Sequence, residues 1–226
     1  VAFTAARTKL ESMALDPKRS VLYACGHGSG GIYGLPLAKG EPAGEFKAYL
    51  SGSLSGIRYD IVPSDDWSAL LVGCLGSAID VVQLDAGGEI VSPSTTFKAS
   101  DVQEWTRLAR VGHCLYFMMN KQLWAWPLDR DWQPTGQPKL QKDVLAIDLM
   151  RGTHNFLYVV LGEFEANANK KEAKPVGTRV ARFKPDTQGN LGKPEFVSDI
   201  LEHKMICNLT ADETTGTIYV SSYPVN

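Results

Sequence analysis

Short apolar runs alternate with polar turns along this chain, and the runs come in pairs. The first run of a pair ends in Leu-Tyr or Leu-Leu, a tight or Gly-bearing turn follows, and a second run leads into a charged turn containing Gly or Pro. The pairs read Val21-Leu22-Tyr23 with Ile32-Tyr33-Gly34-Leu35, Ala69-Leu70-Leu71-Val72 with Ile79-Asp80-Val81-Val82, and Cys114-Leu115-Tyr116-Phe117 with Leu123-Trp124-Ala125-Trp126. Two more copies open at Phe156-Leu157-Tyr158-Val159 and Thr217-Ile218-Tyr219-Val220. Runs of this length, bounded by turn residues, predict β-strands. The anchors Tyr23, Leu71, Tyr116, Tyr158 and Tyr219 return about every 40 to 60 residues, the spacing of one four-stranded repeat.

That period predicts an all-β fold, a β-propeller of four-stranded antiparallel blades. With strands labelled A to D, the first blade takes Leu10-Asp16, Val21-Gly26, Gly31-Leu37 and Lys47-Ser51, and the second Ile57-Val62, Ala69-Leu75, Ala78-Asp85 and Ser94-Ala99. The third takes Trp105-Val111, Cys114-Asn120, Gln122-Asp129 and Pro138-Gln141, and the fourth Val144-Met150, Phe156-Gly162, Thr178-Phe183 and Glu195-Ser198. A fifth has only Met205-Thr210 and Thr217-Tyr223. The chain therefore reads as a single domain over 1–226, with blades near 10–52, 57–100, 105–142 and 144–199 and a partial one at 205–226. About four and a half blades fit either a five-bladed ring with an abbreviated last blade or a fragment of a seven-bladed ring. The run Val1-Ala2-Phe3-Thr4-Ala5-Ala6 resembles Ser94-Thr95-Thr96-Phe97-Lys98-Ala99 and is a candidate D strand for the closing blade. An unfinished sheet otherwise leaves an open edge.

The A-to-B turns support the register independently. Asp16-Pro17-Lys18-Arg19-Ser20, Pro63-Ser64-Asp65-Asp66-Trp67 and Asp212-Glu213-Thr214-Thr215-Gly216 carry the Asp, Pro, Ser and Gly that such turns require. They are expected on one rim. The B-to-C turns and D-to-A connections then share the opposite rim, where a ligand is expected.

Composition narrows the partners. A chain of 226 residues can bury a sizeable core. Its net charge of −2 gives no basic field for a phosphate backbone, so nucleic acid is not an expected partner. No stretch approaches the roughly 20 apolar residues of a membrane span. The chain opens on Val1 rather than Met, which leads us to expect that an upstream segment was removed. Cys25, Cys74, Cys114 and Cys207 lie in or beside strands without metal-type spacing and are read as free, buried thiols.

Candidate chemistry gathers on the expected ligand rim. His27, in Gly26-His27-Gly28-Ser29-Gly30-Gly31, is an imidazole among free backbone amides, suited to anion binding or acid–base work, although Gly serves a plain hairpin equally. Arg58 and Arg107, at the starts of the second and third A strands, can clamp a carboxylate or staple neighbouring blades. The long loop 162–177 carries Glu163 and Glu165. Glu163, nearest the strand end, is the candidate general acid or base. Glu163, Glu165 and Asn167 alternate like cation ligands, but no calcium-loop Gly or closing Glu follows, so no metal is expected. His203 in the last D-to-A connection belongs to the same rim. Trp124 and Trp126 share one strand face, which blade packing explains as well as a sugar platform does.

Met13-Ala14-Leu15-Asp16-Pro17-Lys18-Arg19-Ser20-Val21-Leu22-Tyr23-Ala24 and Val82-Gln83-Leu84-Asp85-Ala86-Gly87-Gly88-Glu89-Ile90 resemble the repeat phrases of the lactonase-type, YVTN-repeat β-propellers, which include 6-phosphogluconolactonase-like proteins and carboxy-muconate cyclases. Gly56-Ile57-Arg58-Tyr59 partly matches that family's Gly-x-Pro-Arg-His phrase, with Arg58 in the Arg position and Tyr59 in place of the His. The resemblance implies hydrolysis or cycloisomerisation of a small acidic lactone without a cofactor. His27 or Glu163 would activate water and Arg58 would hold the developing anion, with Arg107, Glu165 and His203 as ligand contacts. The alternative is a non-catalytic propeller that binds a protein or glycan, including a second chain that completes the ring.

Overall fold

The computed structural model describes residues 9–27, 31–50, 58–74, 78–91, 95–98, 107–119, 122–141, 144, 146–153, 155–164, 176–202, 204–212 and 214–224. Two compact units are present, one of residues 1–106 with 131–133 and one of 107–130 with 134–226. In the first unit, β1 (Lys9–Asp16), β2 (Val21–His27), β3 (Ile32–Ala38) and β4 (Glu41–Pro42) follow one another across an antiparallel sheet, and β5 (Lys47–Leu50) also pairs with β3. The second sheet runs β6 (Arg58–Pro63), β7 (Ala69–Cys74), β8 (Ala78–Gln83) and β9 (Thr95–Lys98).

The other unit repeats the plan. Its first sheet orders β10 (Leu108–Val111), β11 (Cys114–Met119), β12 (Gln122–Pro127) and β13 (Lys139–Leu140). Its second orders β14 (Ala146–Gly152), β15 (Leu157–Glu163), β16 (Gly177–Phe183) and β17 (Phe196–Val197), with β18 (Leu201–Glu202) also on β16. A last sheet has β19 (Lys204–Asp212) and β20 (Thr217–Pro224) alone among the described residues. The A, B and C strands fall close to their expected bounds. The short β4 and β18 were not expected. Lys39 and Gly40, at φ 53° and 83°, turn the chain back on itself and so create β4.

Second strands are interior in the four larger sheets, which is why their apolar runs are continuous. β7 and β11 are buried along their whole length, whereas the outer strands β13 and β17 are exposed. Within each unit the cores lie between consecutive sheets. Tyr23, Cys25 and Ile32 pack on Ile61, Leu70, Val72 and Val82. Tyr116, Met118 and Leu123 pack on Leu157, Val159 and Phe183. Tyr158, Val160 and Val180 pack on Ile206 and Leu209. Cys25, Cys74 and Cys114 are free and buried, as expected.

A hydrogen bond locks two of these interfaces. Tyr23 donates its buried hydroxyl to the carbonyl of Gly88 at 2.6 Å, and Tyr116 does the same to Gly189 at 3.0 Å. Both acceptors end an Asp-x-x-Gly turn between the third and fourth strands of the following sheet. In the first turn, Asp85 takes the amides of Gly87 and Glu89 on its carboxylate, and Gly88 donates back to the Asp85 carbonyl. In the second, Asp186 holds the amides of Gln188 and Asn190 in the same way. Gly88 and Gly189 have φ of +85° and +76°. A Cβ on Gly88 would stand 2.5 Å from the Tyr23 hydroxyl, and one on Gly189 would fall on the Cys114 sulfur. Arg19 tightens the first interface by donating to the carbonyls of Asp85, Ala86 and Trp67 while pairing with Asp16 at 2.6 Å.

The anchors diverge in one sheet. Tyr23, Leu71 and Tyr116 are 0% exposed and Tyr158 is 3%, but Tyr219 on β20 is 58% exposed. The same sequence position is thus fully sheathed in four sheets and open in the last.

Tyr116→Phe should cost about 1–3 kcal/mol, because the buried Gly189 carbonyl loses its donor. Gly189→Ala should cost more, since it adds left-handed strain and a clash to the same site. Urea unfolding with a lowered midpoint and unchanged slope would bear this out; Tyr116→Phe at wild-type stability would refute the lock.

Candidate functional site

The first strands of the sheets carry a polar position that repeats. Four residues ahead of Asp16, Ser64, Val111 and Asp212, where the A-to-B turns begin or β10 ends, stand Ser12, Asp60, Arg107 and Asn208. In β1, β6 and β19 the residue just before it is the extra one of a β-bulge, at Glu11, Tyr59 and Cys207. Bulges re-aim the next side chain and occur beside functional sites. Here they turn Asp60 and Asn208 back on the chain: Ile61 N–H donates to Asp60 Oδ1 at 3.0 Å and Leu209 N–H to Asn208 Oδ1 at 2.8 Å. β1 and β6 lie side by side, and Ser12 donates its hydroxyl to Asp60 Oδ1 at 2.7 Å. Ser12 and Asp60 are half-buried. The pair is a carboxylate fixed by a hydroxyl and an amide, able to accept from a ligand hydroxyl or a water. Sequence reasoning passed over it.

The expected site residues are placed as follows. Arg58 opens β6 opposite Cys74, and His27 closes β2 opposite Lys9; the side chains of both lie outside the described residues. Glu165 and His203 lie outside them entirely. Arg107 is half-buried just ahead of β10. Glu163 closes β15 opposite Gly177 and forms an ion pair through Oε1 with Arg179 Nε, both side chains about one-third exposed (33% and 32%). Glu163 thus has a cation already at its side. Among the described residues, the structure brings Glu163 to Arg179 and not to Arg107.

Two further groups have chemistry in principle. Asp80 is fully buried, accepting from the Thr96 hydroxyl at 2.6 Å and lying 3.3 Å from the Cys74 sulfur, out of reach of a ligand. In the second unit a cleft of about 370 Å³ opens at the A-to-B and C-to-D turns, lined by His113, Cys114, Leu128, Asn155, Lys184 and Asp186. This is the rim opposite the one expected to bind. Burial pushes the Cys114 thiol from 9.0 up to about 11, so it carries a proton at neutral pH. Burial likewise raises the Tyr116 phenol. Asp186 lies below the usual carboxylate range because the Asn190 side chain and neighbouring amides donate to it. Cys114 is therefore not an activated nucleophile, and Asp186 is not an unbonded base.

Trp126 follows the packing reading. It is 4% exposed, sits 6.0 Å from the Phe117 ring and donates its indole N–H to the Gly136 carbonyl at 3.2 Å. Among the described residues no group of three His, Cys, Asp or Glu side chains is placed to hold a metal. No described helix is long and apolar enough to cross a membrane.

The raised thiol has a consequence for stability. Between about pH 9 and pH 11 the unfolded chain loses the Cys114 proton while the folded chain keeps it, so stability should fall as pH rises through that window. Cys114→Ala should remove the part of the fall that begins near pH 9. Urea unfolding at about pH 8 and about pH 10.5 checks this; identical losses in both proteins would contradict it.

A scan against protein-family models finds no match, and a search of curated proteins finds none either. Solved structures do match. The chain superposes on the WD40 repeats of RRP9 with a TM-score of 0.54 at 10% identity, covering 84% of this chain and 54% of that one. The periplasmic gluconolactonase PpgL of Pseudomonas aeruginosa gives 0.53 at 14% identity, with 85% and 56% covered. A putative 6-phosphogluconolactonase from Bacteroides fragilis gives 0.51 at 15% identity, with 95% and 70% covered. At such identities the likeness is one of fold: an all-β chain of propeller-type sheets, resembling lactonases and WD40 proteins alike. The chain spans little more than half the length of the first two.

Proposed function

We propose that this chain is a non-catalytic propeller whose β20 edge takes up a further polypeptide strand, from a partner or from elsewhere in the same protein. The observation that carries the reading is the anchor Tyr219, 58% exposed where its counterparts are sheathed, with Val220 and Tyr223 exposed at 42% and 53% beside it. On its other side from β19, β20 meets no strand among the described residues. An edge with apolar side chains is the surface used in strand addition, where main-chain hydrogen bonds supply affinity and alternate side chains supply selectivity.

A lactonase reading has a separate support. Asp60 stands two residues after Arg58, held by Ser12, where a carboxylate could activate water against a lactone whose acidic group Arg58 engages. Glu163 suits this role less well because of its pairing with Arg179.

The two readings part in one assay. Incubated with gluconolactone, 6-phosphogluconolactone and carboxylated muconolactones, the protein is expected to leave hydrolysis at the buffer rate, and Asp60→Asn should behave identically. Saturable turnover that Asp60→Asn lowers by about 100-fold or more would overturn the binding reading in favour of catalysis.

A further inference from the structure

The two tyrosine-to-glycine interfaces are built alike but finished differently. At the first, Arg19 of the β1–β2 turn donates Nε to the Ala86 carbonyl at 2.8 Å and a terminal nitrogen to the Asp85 carbonyl at 3.1 Å. Its other terminal nitrogen reaches the Trp67 carbonyl at 3.2 Å. At the second, the corresponding turn is shorter. Asp16 pairs with Val21 across Pro17, Lys18, Arg19 and Ser20, whereas Val111 pairs with Cys114 across Gly112 and His113 alone. That turn carries no arginine, and the cleft of about 370 Å³ opens beside it. The acceptors remain. Asp186-Thr187-Gln188-Gly189 repeats Asp85-Ala86-Gly87-Gly88 in its carboxylate-held amides, in the 3.0 Å bond from the Gly amide to the Asp carbonyl and in its left-handed Gly. A backbone so repeated aims the Asp186 and Thr187 carbonyls as it aims those of Asp85 and Ala86. Among the described residues the Thr187 carbonyl receives no hydrogen bond and the Asp186 carbonyl receives one, from Gly189.

We infer that this cleft binds a guanidinium group, the side chain of an arginine carried by a partner polypeptide, as the Asp85–Gly88 turn binds Arg19. The group donates in a fork to the Asp186 and Thr187 carbonyls. Asn155, on the turn that corresponds to the one supplying the Trp67 carbonyl, adds an amide oxygen to the cleft wall, and Pro127 and Leu128 offer an apolar side to the planar group. Lys184 stands against this occupant, since it lines the cleft at the position that Gln83 holds in the other unit. An anion nevertheless fits less well. The amides of Gln188, Gly189 and Asn190 are spent inside the turn, on the Asp186 carboxylate and carbonyl, and that carboxylate adds negative charge beside the open carbonyls. This contact is independent of strand uptake at β20.

Methylguanidinium probes the group alone, and a blocked Gly-Arg-Gly peptide probes it as a side chain. In amide NMR spectra of the 226-residue protein, each should shift the amides of 187–190 saturably, with a Kd on the order of millimolar and the peptide the tighter of the two. The amides of 86–89, whose turn Arg19 already serves, should stay in place. Lys184→Gln, at an exposed position, removes the opposing ammonium and should tighten both ligands about twofold to threefold. Absence of saturable shifts at 187–190, or equal shifts in both turns, would overturn the assignment. Acetate is the opposite probe: saturable shifts of 187–190 with acetate that weaken in Lys184→Gln would make the cleft an anion site and overturn it as well. A peptide that binds no more tightly than methylguanidinium would overturn the polypeptide source and leave a small guanidino compound as the ligand.

Discussion

A tyrosine hydroxyl given to the carbonyl of a left-handed glycine is the contact on which the packing of successive sheets turns. It joins two elements far apart in sequence: Tyr23 to Gly88, Tyr116 to Gly189. Apolar packing between sheets is strong but tolerant of sliding, because a Leu finds similar company one residue along. The hydroxyl is not tolerant. In a buried interface it must reach one particular carbonyl or remain unsatisfied, so it fixes the register of one sheet on the next. The turn that offers the carbonyl is in turn set by an Asp that gathers its amides, and the Gly is fixed by its left-handed φ and by the space that the Tyr23 hydroxyl or the Cys114 sulfur occupies.

The same logic gives functional weight to the last sheet. Tyr219 carries the sequence of a buried interface, yet it is exposed. An exposed single Leu or Tyr on a surface is ordinary. Tyr219 and Val220, exposed on one strand at positions that four other sheets bury, are a patterned exposure. The inner strands offer a different kind of surface. Ser12 and Asp60 are small, polar and bonded to each other, a setting fit for a small hydroxylated ligand. The two surfaces account for the two readings of function.

The sheets were legible in the sequence because central strands have no polar face: Ala69–Cys74 and Cys114–Met119 are apolar throughout and flanked by turn residues. The A-to-B turns were legible through Asp16 and Asp212, whose carboxylates do gather the following amides. The tyrosine anchors were visible as a period, but their partners were not, since nothing local to Gly88 or Gly189 names a residue more than sixty positions away. The pairing of Glu163 with Arg179 depends on a diagonal between β15 and β16, where Glu163 faces Gly177 and Leu161 faces Arg179. Asp60 escaped notice because a lone Asp in Tyr59-Asp60-Ile61-Val62 reads as the polar side of an alternating strand. Counting back from the turns would have aligned it with Ser12, Arg107 and Asn208; the bulge that aims it is a backbone event with no residue signature of its own.

Hydrogen exchange along the strands tests the central claim that β20 presents an open edge. Amides of central strands bonded on both sides open only with their sheet, whereas outward amides of an edge exchange through solvent directly. Measured on the free protein at neutral pH, the outward-facing amides of 217–224 should exchange on the order of a thousandfold faster than those of 69–74 and 114–119. Protection of 217–224 equal to that of those strands would mean that the edge is already covered, and the account of it as a partner-binding surface would be wrong.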